Sequence, residues 1–377
     1  MILSQEHQML RDAVRQYARE RLAPNAAAWD RDGTFPAAAL KGLAAMGLYG
    51  IAIAEEWGGA GMDYTALALA VEEIAAGDGA TSTIVQVNNL AAGILAGYGN
   101  PAQKERYLKP VARGDMLGAF ALTEPHAGSD AGAIRARAER SGDAYVLNGV
   151  KQFITSGKYA DVAIVFAVTD KDAGKKGIGA FIVPTETPGY IVSHIEEKTG
   201  QHASDTVQIT LEDCTVPAAN LLGAEGEGYR IALANLESGR INVAAQSVGM
   251  AQSAFEAALA YAHERTSFGK PLIGHQAVNF RLADMATGIE AARQLYLHAA
   301  TLRDSGLPCL KEASMAKLFA SEMAEKVCSD AIQIHGGYGY VRDFPVERIW
   351  RDVRVTQIYE GASDIQRMVI GRALSGG

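Results

Sequence analysis

The spacing of apolar residues changes character twice along this chain, and that alternation limits the fold more than any other feature. Up to about Asp115 apolar side chains recur at intervals of three and four, the period of a helix with one buried face. Leu10, Val14 and Tyr17 follow this spacing, and Arg11, Arg15 and Arg19 take the opposite face. Ser4 is placed to cap the first helix and Pro24 to stop it. Further helix is predicted over Ala37–Met46, Tyr64–Ala76, Thr81–Ala96 and Ala102–Ala112, punctuated by glycines such as Gly47 and Gly58-Gly59.

From Asp115 to about Pro217 the helical period is lost. Asn148-Gly149, inside Tyr145–Val150, is a strong short hairpin signal and predicts a turn. Asp161–Val168 reads as a strand buried on both faces, and Ile178–Val183 as another, stopped by Pro184. Val207, Ile209 and Leu211 alternate, giving a strand with one wet face. From Glu225 the helical period returns in three long stripes. They run Ile241 to Leu259, Val278 to Leu302, and Met315, Phe319, Met323, Val327; Ser305-Gly-Leu-Pro308 ends the second. Long antiparallel helices predict a four-helix bundle. The expected class is α+β, mainly α: helical domain 1–114, a small β-sheet or barrel domain 115–222, and a C-terminal bundle 223–377.

Composition excludes several classes. The 377 residues are 48% apolar and 21% charged, a globular balance. Lys and Arg number 35 against 43 Asp and Glu, a net charge of −8 with no segregated basic patch, so nucleic acid is not an expected partner. Apolar runs such as Val162–Val168 fall far short of the ~18 residues a bilayer crossing needs, so no membrane association is expected. The N-terminus has neither a basic n-region nor an apolar h-region, and a cytoplasmic protein is expected. Three cysteines, Cys214, Cys309 and Cys328, form no CxxC pair, which suits a reducing compartment. The eight histidines show no HxH or HExxH spacing, so no metal site is expected. No GxGxxG follows a strand, and no GxxxxGK[ST] or GxSxG is present.

Five segments do not suit packing. Phe120–Asp130 carries Pro125, Gly128 and the hydroxyls of Thr123 and Ser129, able to present donors to an acceptor-rich ring or phosphate. Lys151–Gly157 places Phe153 and Thr155 two apart, so an extended chain would put an aromatic and a hydroxyl on one face, against a planar ligand. Ile358–Arg367 sets Glu360 after an apolar pair and before Gly361. A carboxylate in apolar surroundings is a stronger base. Glu264–Lys270 with His275-Gln276 is a basic, glycine-containing break between helices, and Gln333–Gly339 is a glycine-rich break after the third. Each has a plain alternative: a capped turn, a strand face, a helix-end glutamate, and for His335 a packed histidine.

In this order, on a helical–strand–helical chain, the five segments resemble the acyl-CoA dehydrogenase family along essentially the whole chain, nearest its short-chain and short-branched-chain members. The resemblance implies an N-terminal helical domain, a central β domain and a C-terminal four-helix bundle. It implies FAD between the β domain and the bundle, completed by a neighbouring subunit of a homotetramer built as a dimer of dimers. Phe120, Leu122, Thr123, Gly128 and Ser129 would line the flavin, with Ser129 also near the CoA thioester arm. Phe153 and Thr155 would pack on and bond the flavin edge. Arg265, Phe268 and Gln276 would hold the adenosine diphosphate half across the dimer, with Gln333, Gly336 and Gly337 on its other side. Ala362, Ser363 and Asp364 would return to the flavin. Glu237 and Arg240 would contact CoA, Arg240 as the main charge, and Gly361 would lie beside the substrate.

Glu360 matches the family's base. It would take the α proton of an acyl-CoA while hydride passes from the β carbon to flavin N5, giving the trans-2-enoyl-CoA. Electrons would pass to an electron-transferring flavoprotein, in fatty-acid β-oxidation or branched-chain amino acid degradation. Phe153 replaces a common Trp, Ser156 a common Asn and His126 a frequent Gly. Isovaleryl and long-chain members carry the base immediately before the residue matching Arg240; here that residue is Gly239. Relatives with other chemistry fit less well. A nitroalkane oxidase uses Asp at the base position and a desulfinase lacks the base. Acyl-CoA oxidases carry an added C-terminal domain, whereas this sequence stops at Gly377. A non-catalytic CoA-binding scaffold would have no need of Glu360. The resemblance places the protein in a bacterial cytoplasm, or in the mitochondrial matrix if it is a processed eukaryotic chain.

Overall fold

The computed structural model describes residues 2–376. Helix α1 (Gln5–Tyr17) starts where Ser4 Oγ accepts from His7 N–H at 3.1 Å, the predicted cap. It does not stop at Pro24. A π-turn over Ala18–Leu22 widens the helix, and Pro24 falls in the first turn of the next segment, α2 (Ala23–Asp32). There its missing N–H is not needed. Helices α3 (Ala37–Ala45), α4 (Tyr64–Gly77) and α5 (Gly79–Tyr98) follow, then the short α6 (Pro101–Gln103) and α7 (Lys109–Arg113). Helices α4 and α5 are buried almost all round between neighbours, their buried polar residues such as Glu72, Asn88 and Asn89 being hydrogen-bonded.

Among the described residues one mixed sheet has eight strands: β1 (Gly118–Ala121), β2 (Arg137–Ser141), β3 (Ala144–Thr155), β4 (Val162–Val168), β5 (Ile178–Pro184), β6 (Tyr190–Ile195), β7 (Thr206–Pro217) and β8 (Leu221–Leu222). Their order is β6-β7-β3-β2-β4-β5-β8, with β1 parallel to β4. Strand β4 is buried on both faces, as predicted. Ala163 and Val165 meet the main core, and Ile164 and Phe166 meet α5 and the residues around it.

Asn148-Gly149 is not a turn. The hairpin turns at Gly142-Asp143, and β3 runs straight through Asn148. A bulge absorbs the Asn-Gly pair: Leu147 faces Cys214, yet Gly149 faces Leu211. Asn148 is held by Asp213, donating to its carboxylate at 3.1 Å and accepting from its N–H at 2.8 Å. Gly149 has φ 149°, and a Cβ there would lie 2.7 Å from Ala136 Cα, so glycine serves close approach, not reversal.

The C-terminal part is α8 (Gly228–Glu264), α9 (Gln276–Asp304), α10 (Leu310–His335), α11 (Val346–Val353) and α12 (Ser363–Leu374). Helix α8 is buried all round from Ser238 to Ala251, because α4 and α5 cover the side that α9 and α10 leave open. The predicted stripe on α10 is rotated over most of its length, and of its four residues only Val327 is fully in the core. Its inner face is Ala313, Ala316, Ala320 and Ala324, whose small side chains let α10 approach α8. Met315 and Met323 are half-buried and Phe319 is 42% exposed. No described helix is long and apolar enough to cross a membrane.

Candidate active site

Glu360 lies in the short loop between α11 and α12. Its φ is 54°, and Gly361 follows at 92°. A left-handed glutamate costs of order 1 kcal/mol and persists only where its surroundings impose it. Here they do. Gln366 Nε2 donates to Gly361 O at 2.8 Å and to Glu360 O at 3.3 Å, and Lys317 Nζ donates to Gly361 O at 2.7 Å. On the N-terminal side Tyr359 OH bonds Gln246 Oε1. Gln246 Nε2 in turn donates to Ser82 Oγ at 2.8 Å and Thr83 Oγ1 at 2.7 Å, and Thr83 Oγ1 donates to Gln201 Oε1 at 2.7 Å. One loop is thus anchored to α5, α8, α10, α12 and the segment before β7.

The carboxylate sits against α8. A Cβ on Gly239 would lie 2.5 Å from Glu360 Oε2, so any larger residue there would displace the acid. Oε2 is buried with no partner among the described residues. Burial pushes the Glu360 carboxyl up to about 7, against the charges of Lys317 and Arg240, which pull it down. Arg240 is only 6% exposed, with Nε and Nη1 unpartnered among the described residues. Asn242 Oδ1, Ser363 Oγ and Gln366 Oε1 are also buried and unpartnered. Buried polar atoms are ordinarily matched, so these are candidates for contact with a ligand. Glu237, one turn earlier on α8, is engaged by Arg303 at 3.4 Å and Cys309 Sγ at 3.2 Å. Asp364 is exposed at the start of α12 and pairs with Arg367.

A second group lies on the sheet. Phe120 packs edge-on to Phe166 at 5.1 Å and Leu122 is buried, whereas Gly128 and Ser129 are exposed. The segment after β1 is tied to β3 by Gln152 N–H donating to Thr123 O at 2.8 Å. A fully buried ion pair reinforces this. Lys151 Nζ meets Glu124 Oε1 at 2.7 Å and Leu122 O at 3.1 Å, and Glu124 also accepts from Arg135 N–H at 2.6 Å and Ala136 N–H at 2.9 Å. The extended-chain argument for Phe153 and Thr155 does not hold. Between Lys151, facing Ile209, and Ile154, facing Val207, β3 carries one extra residue, and Phe153 takes φ 59°. That bulge leaves Phe153 62% exposed and Thr155 half-buried.

The third group lies at the far end of the bundle. Arg265 lies 5.9 Å from the Tyr338 ring, Phe268 is 97% exposed at φ 48°, and Gln276, Gln333, Gly336 and Gly337 are exposed around the adjoining helix ends. His335 is a packed histidine, stacked on Tyr261 at 4.4 Å. Sequence reasoning missed Lys317, Gln246, Tyr359 and the Glu124–Lys151 pair. For Lys317 a signal existed: one lysine among alanines on the inner face of a helix. Among the described residues no cluster of three or more His, Cys, Asp or Glu could hold a metal ion.

The chain matches three family descriptions in order. They are Acyl-CoA dehydrogenase, N-terminal domain, over residues 4–115, the middle domain over 119–214, and the C-terminal domain over 226–375. It is 48% identical to an acyl-CoA dehydrogenase of Bacillus subtilis over 378 residues, covering 100% of both chains. It is 46% identical to the mitochondrial short-chain specific acyl-CoA dehydrogenase of Mus musculus, over 98% of this chain and 90% of that protein. The solved structure of butyryl-CoA dehydrogenase from Megasphaera elsdenii superposes with a TM-score of 0.98 at 41% identity, covering 100% of this chain and 99% of the other.

Proposed function

The chain belongs to the acyl-CoA dehydrogenase family, and from that premise we propose that it oxidises a short-chain acyl-CoA to the trans-2-enoyl-CoA with Glu360 as the base. The observation that carries this is Glu360 itself: a half-buried acid whose Oε2 is buried against Gly239 with no partner among the described residues, and whose pKa is raised. The α C–H bond breaks and its proton goes to Glu360, whose burial raises its basicity toward neutral pH. The N–H of Glu360 has no backbone acceptor among the described residues and is available to the thioester oxygen, where enolate charge develops. The charges of Arg240 and Lys317 favour the ionised carboxylate and oppose the burial that raises it.

The residues present fit FAD: an exposed aromatic on a bulge of the sheet, a loop tied to it, and, on the bundle, buried polar atoms without partners among the described residues. FAD, held there, would supply the acceptor for the β hydride. Phe120, Leu122, Thr123, Gly128, Ser129, Phe153 and Thr155 would hold its ring from the sheet, with Ala362, Ser363 and Asp364 opposite. Arg265, Phe268, Gln276, Gln333, Gly336 and Gly337 would hold the diphosphate and adenosine of a neighbouring subunit's FAD. Ser129, Glu237, Arg240 and Gly361 are assigned to acyl-CoA. Helices α5 and α8 meet where Asn235 Oδ1 lies 3.7 Å from a Cβ built on Gly93, and the acyl chain is placed there.

Anaerobic mixing with butyryl-, isobutyryl-, 2-methylbutyryl- and octanoyl-CoA tests this. A short-chain member should bleach the oxidised flavin band, with octanoyl-CoA slowest. A yellow protein that none of the four bleaches would overturn the reaction. Electrons are assigned to an electron-transferring flavoprotein, and the location to a bacterial cytoplasm.

A homotetramer accounts for the apolar surface of the bundle, where Phe268, Phe280, Phe319, Tyr340 and Met368 are all at least 42% exposed. Light scattering should give the mass of four chains; a monodisperse monomer with bound FAD would contradict it.

A further inference from the structure

Beyond the charge it sets beside Glu360, Lys317 has no place in the reaction as described. It lies on the inner face of α10 between Ala313, Ala316 and Ala320, and its side chain is 0% exposed. Burying an ammonium is costly unless something repays it. Here no carboxylate hydrogen-bonds it among the described residues; its ammonium donates to a backbone carbonyl, Gly361 O, at 2.7 Å.

We propose that Lys317 is a positioning residue for the base. Its ammonium pins the Gly361 carbonyl, which holds Glu360 in its left-handed conformation, with the carboxylate against Gly239 and the N–H free to meet the thioester oxygen. The inference rests on reading Glu360 as the base.

Three observations carry it. Two successive residues, Glu360 at φ 54° and Gly361 at φ 92°, form a turn that a glutamate adopts only under constraint. The peptide carbonyls of that turn are the acceptors used, and the other donor, Gln366 Nε2, is a neutral amide shared between two of them at 2.8 and 3.3 Å. A charged donor makes the stronger bond. Finally, the ammonium reaches the loop from a different helix, so it fixes the turn relative to α10 and α8 and not merely to its own segment. The charged groups near Lys317 are Glu360 on the loop, Arg240 on α8 and Glu322 on α10. Those near Glu360 are Lys317 and Arg240, with the Tyr359 hydroxyl adjoining. Lys317 is the larger of the two influences holding the Glu360 carboxyl down.

The test uses flavin-loaded K317M, which has neither charge nor donor, and K317Q, which keeps a donor without the charge. The rate of flavin bleaching by butyryl-CoA is followed across neutral pH, with flavin content and thermal unfolding recorded alongside and E360Q as control. K317M is expected to lose about 10- to 100-fold in maximal rate, the cost of a misplaced base. Its acid limb should move up by about one pH unit, because a cation no longer favours the carboxylate. K317Q should share the moved limb and recover part of the maximal rate. Rates within about twofold of the parent with an unmoved limb in both variants would overturn the proposal. So would a loss of rate that tracks lost flavin while the limb stays put, since that describes a merely structural lysine. Bleaching by E360Q at the parent rate would instead refute the reading of the base, independently of the lysine.

Discussion

Glu360→Gln is expected to retain flavin and ligand binding and to lose at least about 10²-fold in the rate of flavin bleaching by substrate, the usual cost of removing a general base. The amide preserves shape, so Gly239, Lys317 and Gln366 keep their places around it; only the proton acceptor is gone. Activity within about tenfold of the parent would sink the assignment. The same variant has a stability signature. The folded carboxyl titrates at about 7 against an ordinary value of 4.5. Between those values the folded protein holds a proton that the unfolded chain has released, so the Glu360 contribution falls as pH rises through that window. Glutamine has nothing to titrate. The variant should therefore be the more stable protein at about pH 8, and the gap should close toward about pH 5. A base held at the expense of stability would show up as that pH-dependent difference in unfolding temperature.

Glu124→Ala should be the most destabilising single change on the sheet side, at about 3–5 kcal/mol. It leaves the Lys151 ammonium, 0% exposed, with only Leu122 O as a partner, and it orphans the N–H groups of Arg135 and Ala136. Because the pair joins the Thr123 loop to the Phe153 bulge, flavin affinity should fall with stability. The double change Glu124→Leu with Lys151→Met removes both charges and should recover part of the stability. Chemical denaturation checks this; a Glu124→Ala protein within about 1 kcal/mol of the parent would show that the pair contributes little.

Much of the architecture was legible because burial and period are linked. The strands β4 and β5 and the helices α3, α4, α5 and α9 were predicted near their observed bounds from apolar spacing and glycine punctuation, whereas for β7 and α10 only an inner stretch was read. Where reasoning failed, a local signal met a tertiary constraint. Pro24 is a helix stop only if the helix needs its N–H, and a π-turn removes that need. Asn148-Gly149 signals a turn only if the chain reverses, and the chain bulges there against Ala136 and Asp213. The stripe on α10 was assigned to its largest apolar residues, while packing against α8 selected its smallest. The site was legible as an ordered set of segments. The residues that hold those segments were not, because Lys317, Gln246 and Lys151 look, in one dimension, like single polar residues in apolar runs.

Sequence by itself determined the division into helical, strand and helical parts, which follows from apolar spacing, and its ordered segments carried the resemblance that pointed to the family and proposed Glu360 as the base. Spacing and residue type are properties of the chain. The tertiary structure decided everything that depends on residues distant in sequence. It set Glu360 against Gly239, left its Oε2 without a partner among the described residues, and brought a lysine from α10 onto the carbonyl beside it. A pKa, a strained φ and an unpaired donor each arise from what surrounds a group, and only folding assembles those surroundings.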